Sequence, residues 1–145
     1  MAALTANRDT LEMASAHSQL HSEIGTDATQ YYKGGIICVS TVTGKMVKGT
    51  TATTLIAIGR CEENVLTGTS NTREINARSG TFKFGNSSAA DLIAADDIGK
   101  ACYIVDDQTV ALTDGTGTRS RAGIIEKVAA DGGVYVNFTT LLAVS

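Results

Sequence analysis

Proline and tryptophan are both absent from the sequence, and aromatic residues make up only 5% of it. The core therefore has to be built mainly from Val, Ile, Leu and Ala. Gly, Thr and Ser are abundant instead, a composition that favours short strands joined by Gly and Asp turns over a helical bundle. The lack of Trp also disfavours a carbohydrate-binding module. With 145 residues, the chain is long enough for one domain with its own core.

Long apolar runs and excess positive charge are missing as well. No stretch approaches the roughly 18 apolar residues of a membrane helix, and Arg8, Asp9 and Glu12 interrupt the N-terminus where a secretion signal would need an apolar core. We therefore expect synthesis in a cytoplasm and no membrane partner. The net charge of −3 disfavours a nucleic-acid partner, because nucleic-acid-binding proteins usually carry a basic patch.

Histidine occurs only at positions 17 and 21, which limits the catalytic sites that the chain can form. A Ser-His-Asp or Cys-His site would have to recruit one of these two side chains. On a helix, His17 and His21 could share a metal ion with Glu23 nearby, so a small metal-dependent hydrolase is one alternative function. No third ligand is suggested, and we expect two solvated histidines. The sequence thus predicts no catalytic residue, no metal and no cofactor.

The cysteines and the paired acidic residues both favour structural roles. Cys38, Cys61 and Cys102 each lie within an apolar run and lack CxxC spacing, so we expect buried free thiols. Neighbouring carboxylates on a strand point to opposite faces and cannot act together on one bond. We therefore interpret the acidic pairs as turn formers; they are Glu62-Glu63, Asp96-Asp97 and Asp106-Asp107.

The amino-acid composition of residues 1–30 differs from that of the rest of the chain. We interpret these residues as an N-terminal arm that precedes a β-domain at 31–145. Leu20 and Ile24 have helical spacing, which is compatible with a short helix over 10–23. The remaining apolar residues do not form a continuous stripe that could dock firmly on a core. We expect the arm to become ordered on a partner, with Leu4, Leu11 and Met13 as its apolar anchors.

From residue 31 onward the pattern is that of strands and turns. Residues 35–43 carry β-branched residues on both faces, and residues 53–61 are apolar on both faces. The second pattern predicts a central strand covered on both sides, by the opposite side of the fold and by a neighbouring subunit. Gly44-Lys45 predicts a turn between the first of these strands and Met46-Val47. Between residues 73 and 84 the apolar residues shift from odd-numbered to even-numbered positions, so the buried face of a single strand would change there. Ser79-Gly80 lies at this shift and predicts a β-bulge.

The second half carries further turn signals. Residues 95–100 predict a single helical or 3₁₀ turn closed by Gly99. Asp114-Gly115 predicts a hairpin between 109–112 and 122–128, and Asp131-Gly132-Gly133 predicts another before 134–138. The apolar tail 141–144 is expected to fray or to pack on a neighbour. The fold expected from this pattern is mainly β, an antiparallel β-barrel or sandwich with an N-terminal extended arm.

One stretch resembles a known family. Residues 92–114, and above all Asp97-Ile-Gly-Lys-Ala-Cys-Tyr-Ile-Val-Asp-Asp-Gln-Thr-Val-Ala111, resemble the small cement or decoration proteins encoded in head-gene clusters of tailed bacteriophages. Three weaker similarities follow the same order, at 32–36, 58–63 and 78–84, so that the resemblance spans about 31–138. It implies a capsid decoration protein, a non-enzymatic β-domain on the outer surface of the phage capsid.

Further expectations follow from this resemblance. Such proteins bind the major capsid protein near the junctions between its subunits, and copies commonly cluster as trimers, so we expect a homo-oligomer in the virion after synthesis in the host cytoplasm. The family has no catalytic residues to transfer to this chain. An alternative within the same particle is a tail-tube or head-completion structural protein, since these are also small and rich in β-structure.

Overall fold

The computed structural model describes residues 2–13 and 19–138, which form a mainly β fold. The strands are β1 (Glu12–Met13), β2 (Gln19–Ile24), β3 (Gln30–Tyr31), β4 (Ile36–Ser40), β5 (Met46–Lys48), β6 (Leu55–Cys61), β7 (Val65–Leu66), β8 (Glu74–Ser79), β9 (Thr81–Phe84), β10 (Ala101–Asp106), β11 (Thr109–Ala111), β12 (Arg121–Val128) and β13 (Val134–Asn137). Two 3₁₀ turns lie at Ala89–Asp91 and Ala95–Asp97. The strands pair antiparallel, as the sequence predicts for the fold class.

The strands form two larger sheets arranged as a sandwich. The front sheet has the order β1-β9-β13-β12-β10-β11, and the back sheet has the order β2-β8-β6-β4-β5. The short strands β3 and β7 pair separately. Of the two architectures expected from the sequence, the sandwich is correct and the closed barrel is not. The two ends of the back sheet approach each other at a bridge between Gly25 and Met46, where the N–H of Thr26 also donates to the carbonyl of Met46.

Two hydrophobic clusters explain the strands that are apolar on both faces. The first cluster lies between the sheets and contains Ile36, Cys38, Ala57, Phe82, Phe84, Ile93, Cys102, Ile104, Val110, Ala122, Ile125, Val134, Val136 and Phe138. The second cluster lies against the other face of the back sheet and contains Tyr31, Ile37, Met46, Ile58, Cys61, Ile75 and Ala77. The chain's own residues therefore bury both faces of β4 and β6, and a neighbouring subunit is not needed for that purpose.

The change of parity near residue 80 has a different cause from the predicted β-bulge. β8 belongs to the back sheet, whereas β9 belongs to the front sheet, and Gly80 joins them with a φ of 149°. At this φ a residue with a Cβ is strained, so glycine suits the corner. Ile75 and Ala77 thus pack in the second cluster, while Phe82 and Phe84 pack in the first. The position was correct, but the chain changes sheets there.

The turn predictions had mixed outcomes. The turn at Gly44 between β4 and β5, the 3₁₀ turn before Gly99 and the hairpin between β12 and β13 are all confirmed. The hairpin predicted at Asp114-Gly115 is wrong, because β10 lies between β11 and β12 and pairs with both. The connection through 112–120 therefore passes from one side of β10 to the other near Tyr103, which pairs with Ala111 on one side and with Arg121 on the other.

The predicted helix over 10–23 is also wrong for the residues that the structure describes there. Glu12–Met13 and Gln19–Ile24 are strands, paired with β9 and β8 respectively. The helical spacing of Leu20 and Ile24 is equally compatible with one face of a strand, since both positions have the same parity. The tail at 141–144, for which packing or fraying was expected, lies outside the described residues.

Candidate interaction surface

Residues 2–13, called the N-terminal segment below, run along the β-domain and are fastened to it mainly through their backbone. The N–H of Arg8 donates to the carbonyl of Lys33 at 2.7 Å, and the carbonyl of Leu11 accepts from the N–H of Lys83 at 2.9 Å. Gln108 Nε2 donates to the carbonyl of Ala2 at 2.7 Å. Because the backbone makes these contacts, several side chains of the segment remain free to point outward.

Two glycines, Gly34 and Gly35, form the surface on which the N-terminal segment lies, and this pair is called the glycine seat below. Gly34 has a φ of 95°, and a Cβ built on it would stand 2.0 Å from the carbonyl oxygen of Arg8. A Cβ at Gly35 would stand 2.9 Å from Cδ1 of Leu4. The hydroxyl of Thr10 donates to the carbonyl of Gly34. The segment can approach this closely only because neither position carries a side chain.

A partly buried charged cluster supports the segment near Thr10. Arg60 donates to Glu62 through Nε at 2.9 Å and through Nη2 at 3.0 Å, and Arg78 Nε donates to Glu62 at 3.1 Å. Arg60 also donates to the carbonyl of Thr10 at 2.9 Å and lies 4.5 Å from the centre of the Phe82 ring. Burial tends to raise the pKa of Glu62, but its bonds and attraction to Arg60 and Arg78 outweigh it, so the pKa is lowered.

A buried carboxyl holds the start of the segment. Asp107 is 2% exposed, and its Oδ1 accepts from the N–H of Leu4 at 2.7 Å. Burial raises the pKa of Asp107, while the bond from Leu4 and the nearby charge of Lys48 act in the opposite direction. The contact therefore joins the N-terminal segment to the hairpin between β10 and β11.

The three predicted anchor residues differ in exposure. The side chains of Leu4 and Met13 are half-buried against the chain's own domain, whereas Leu11 is 51% exposed. Leu11 stands at the rim of an open groove of about 630 Å³, which is also lined by Arg8, Phe84, Leu92 and Gly132. Leu92 is itself 50% exposed. Leu11 and Leu92 thus give this groove, called the arm groove below, an accessible apolar rim.

Arg8 gives the arm groove a cationic group that is incompletely satisfied. Its Nη1 donates to Gln108 Oε1 at 3.3 Å, and its Nη2 donates to the carbonyl of Lys83 at 3.4 Å. Its guanidinium lies 5.9 Å from the centre of the Phe84 ring, and its Nε is buried without a hydrogen-bond partner in the part of the chain that is described. Burial lowers the pKa of Arg8. An acidic group that a partner brings into the groove would be attracted by the positive charge of this side chain.

The acidic pairs and cysteines adopt structural roles. Glu63 bonds Arg73 at 2.6 Å, and Asp97 accepts from the N–H of Ala94 at 2.9 Å. Asp106 accepts from the N–H of Gln108 at 2.9 Å within the β10–β11 turn. The prediction of three buried free thiols is confirmed. Burial raises their pKa in every case, to about 11 for Cys61 and to about 12 for Cys102, with that of Cys38 raised further.

Of the residues considered for metal binding, the two that the structure describes lie on a strand and not on the helix that the metal-binding alternative required. His17 lies outside the described residues. His21 and Glu23 lie on one face of β2, with Nε2 of His21 3.8 Å from Oε2 of Glu23, and both side chains are about half exposed. Within 2–13 and 19–138, no group of three or more His, Cys, Asp or Glu side chains is placed to hold a metal ion.

Sequence reasoning missed Gly34, Arg60 and Arg8 as residues that shape this surface. The Gly34-Gly35 pair was a visible signal, because consecutive glycines before a strand often mark a close backbone approach. For Arg60 and Arg8 no local signal existed, since their partners are distant in sequence. Their role depends on how the N-terminal segment is placed.

No family model matches the chain, and neither the curated proteins nor the solved structures give a significant match. Among the described residues, no helix is both long enough and apolar enough to cross a membrane.

Proposed function

We propose that this protein is a capsid decoration protein, a virion structural protein that binds the outer surface of a phage head and stabilises contacts between major capsid subunits. The supporting observation is the N-terminal segment, which is fastened by its backbone while Leu11 stays exposed beside the arm groove. The resemblance of residues 97–111 to the cement proteins of tailed phages supports the same function.

The partner chemistry follows from the groove. Exposed apolar side chains next to the positive charge of a guanidinium suit a partner loop that brings an apolar residue together with a carboxylate. A single groove of this size gives a modest affinity. Many copies on a symmetric shell, clustered as trimers around local threefold axes, would gain strength through high effective concentration.

The test is co-sedimentation of the purified protein with expanded, empty heads of the phage that encodes it. We expect saturable binding at a fixed ratio to the major capsid subunit. Leu11→Ser should weaken binding at least fivefold, because it removes the exposed apolar contact beside the groove. Val42→Ser is the matched control, since Val42 is 76% exposed in the β4–β5 turn, outside the groove lining.

The possible results have different meanings. Binding that is lost in Leu11→Ser and kept in Val42→Ser supports both the function and the surface. Binding that is equal in the two variants contradicts the surface but not the function. No binding of the unmodified protein to expanded heads contradicts the decoration function, and the tail-tube or head-completion alternative would then be tested by electron microscopy for rings or tubes.

A further inference from the structure

An aspartate is followed by a glycine twice in the sequence, at Asp114-Gly115 and at Asp131-Gly132, and the surroundings of the two steps differ. Both aspartates are exposed, and both glycines have a positive φ, of 63° at Gly115 and 92° at Gly132. A glycine leaves its amide nitrogen open to the side chain of the preceding aspartate, because no Cβ stands in the way. The contacts of each step therefore decide whether this nitrogen and the carboxyl can react with each other.

At the Asp131-Gly132 step, both reacting groups are held by other contacts. Nζ of Lys83 donates to Oδ2 of Asp131 at 2.6 Å, and the N–H of Gly133 donates to Oδ1 at 2.9 Å. The N–H of Gly132 donates to the carbonyl of Ala129 at 2.9 Å. The bond from Lys83, followed by that from Gly133, lowers the pKa of Asp131 and keeps its carboxyl ionised. An ionised carboxyl is the form less open to attack by a nitrogen.

The Asp114-Gly115 step lacks these restraints. Within 2–13 and 19–138, no hydrogen bond or ion pair engages the carboxyl of Asp114. The N–H of Gly115 reaches only Oγ1 of Thr113, at 3.4 Å, which is long for a hydrogen bond. Thr116 follows with a φ of 62°, a conformation that costs energy for a β-branched residue. The turn is therefore held less firmly than the one at Gly132.

We propose that Asp114 is a site of spontaneous isomerisation to isoaspartate, and that Asp131 is protected from this reaction. The amide nitrogen of Gly115 attacks Cγ of Asp114. The new C–N bond replaces the bond from Cγ to the hydroxyl, which leaves with the amide proton as water. A water molecule then adds to one carbonyl of the cyclic imide, and opening at the former main-chain carbonyl gives isoaspartate. Water is lost and regained, and no electrons are transferred.

The product changes the turn around Asp114. In isoaspartate the chain runs through Cγ, which adds one methylene to the backbone, and the former main-chain carbonyl becomes a free carboxylate. In the structure this carbonyl accepts from the N–H of Thr118 at 2.9 Å and from the N–H of Arg119 at 3.0 Å. Nη1 of Arg119 lies 3.2 Å from Oδ1 of Asp91. Isomerisation should therefore loosen the link between the 112–120 connection and the 3₁₀ turn at Ala89–Asp91.

Prolonged incubation of the full-length protein at neutral pH measures both steps in one sample. Trypsin separates them onto the peptides 101–119 and 128–145, because Lys100, Arg119 and Lys127 provide the cleavage sites. Chromatography separates isoaspartyl from aspartyl peptides of equal mass, and electron-transfer fragmentation assigns the position. Each rate is divided by the rate of the same step in guanidinium chloride, which removes the influence of neighbouring residues in the sequence.

We expect the ratio of native to denatured rate to be at least tenfold higher at Asp114 than at Asp131. Equal ratios, or a higher ratio at Asp131, would overturn the proposal. The reaction belongs to the 112–120 connection, outside the lining of the arm groove, and does not depend on the proposed decoration function.

Two variants test the assignment and its cause. Asp114→Glu should remove isoaspartate from the peptide 101–119, because a glutamate would have to form a larger ring. Isoaspartate that persists there would arise at Asp106 or Asp107 and would contradict the assignment. Lys83→Met frees one oxygen of the Asp131 carboxyl and should raise the native rate at Asp131 at least threefold. An unchanged rate would contradict protection by the carboxyl contacts.

Discussion

Replacement of Gly34 tests whether the N-terminal segment is held by the close approach of two backbones. Gly34 has a φ of 95°, and a Cβ there would stand 2.0 Å from the carbonyl oxygen of Arg8. Gly99 provides a matched control: its φ is 92°, and a Cβ at that position would have nothing within 4 Å. Both Gly→Ala substitutions carry the same backbone cost of about 1–2 kcal/mol, but only Gly34→Ala creates a collision.

The extra cost of Gly34→Ala can be worked out from the contacts that the collision breaks. The carbonyl of Arg8 must move away, which also breaks the bond from the Arg8 N–H to Lys33, the Thr10 contact and the bond from Arg60 to the Thr10 carbonyl. At about 0.5–1.5 kcal/mol for each of these three bonds, Gly34→Ala should lower the free energy of unfolding by about 1.5–4.5 kcal/mol more than Gly99→Ala.

Urea unfolding and amide hydrogen exchange measure this difference. We expect fast exchange of the Arg8 amide in Gly34→Ala, and protection that is unchanged in Gly99→Ala. If the two variants lose equal stability and the Arg8 amide stays protected in both, the glycine seat does not hold the segment.

Further predictions concern the charged groups and the thiols. Asp107→Asn keeps an oxygen that can accept from the Leu4 N–H. Because the pKa of Asp107 is raised in the fold, its ionisation costs stability as pH rises above the ordinary 3.8, so the Asn variant should gain stability relative to the parent between pH 3 and pH 7 in urea titrations. An unchanged difference would contradict this. Glu62→Gln leaves Arg60 and Arg78 without their carboxylate and should cost about 1–3 kcal/mol at pH 7. Since the pKa of Glu62 is lowered, that difference should shrink as pH falls below the ordinary 4.5; a difference that grows in acid would refute it. The three native thiols should react with a thiol reagent only after denaturation, and rapid reaction of the native protein would show that their burial is not maintained.

The sequence predicted the local features of the fold because those features have local causes. Alternation and β-branching identified most strands, and the φ requirements of Gly44 and Gly99 identified turns. Strand order needed more information. The turn residues at Asp114-Gly115 are real, but whether the next strand pairs with β11 or with the far side of β10 depends on long-range contacts that a short window cannot show.

The change of parity at Gly80 shows how one signal can have two structural causes. An extra residue in a single strand and a strand that passes from one sheet to another both exchange the buried face. With a bulge, both sets of apolar residues would face one hydrophobic cluster, whereas a change of sheet requires two clusters. The second cluster, around Tyr31, could not be recognised from the spacing of 73–84 alone. The two-sided apolar pattern of β4 and β6 was the evidence for it, although it was attributed to a neighbouring subunit.

At the candidate surface, the way in which the N-terminal segment is held matters more for binding than which of its apolar residues were predicted as anchors. Leu4 packs beside Gly35, and Leu11 remains exposed, because the N-terminal segment is fastened mainly by bonds of its backbone. A segment held in this way is already positioned before a partner arrives, so binding at the arm groove would carry a smaller ordering cost than the folding of a free arm. It follows that Gly34→Ala should weaken head binding through loss of positioning, although it leaves every side chain of the segment unchanged.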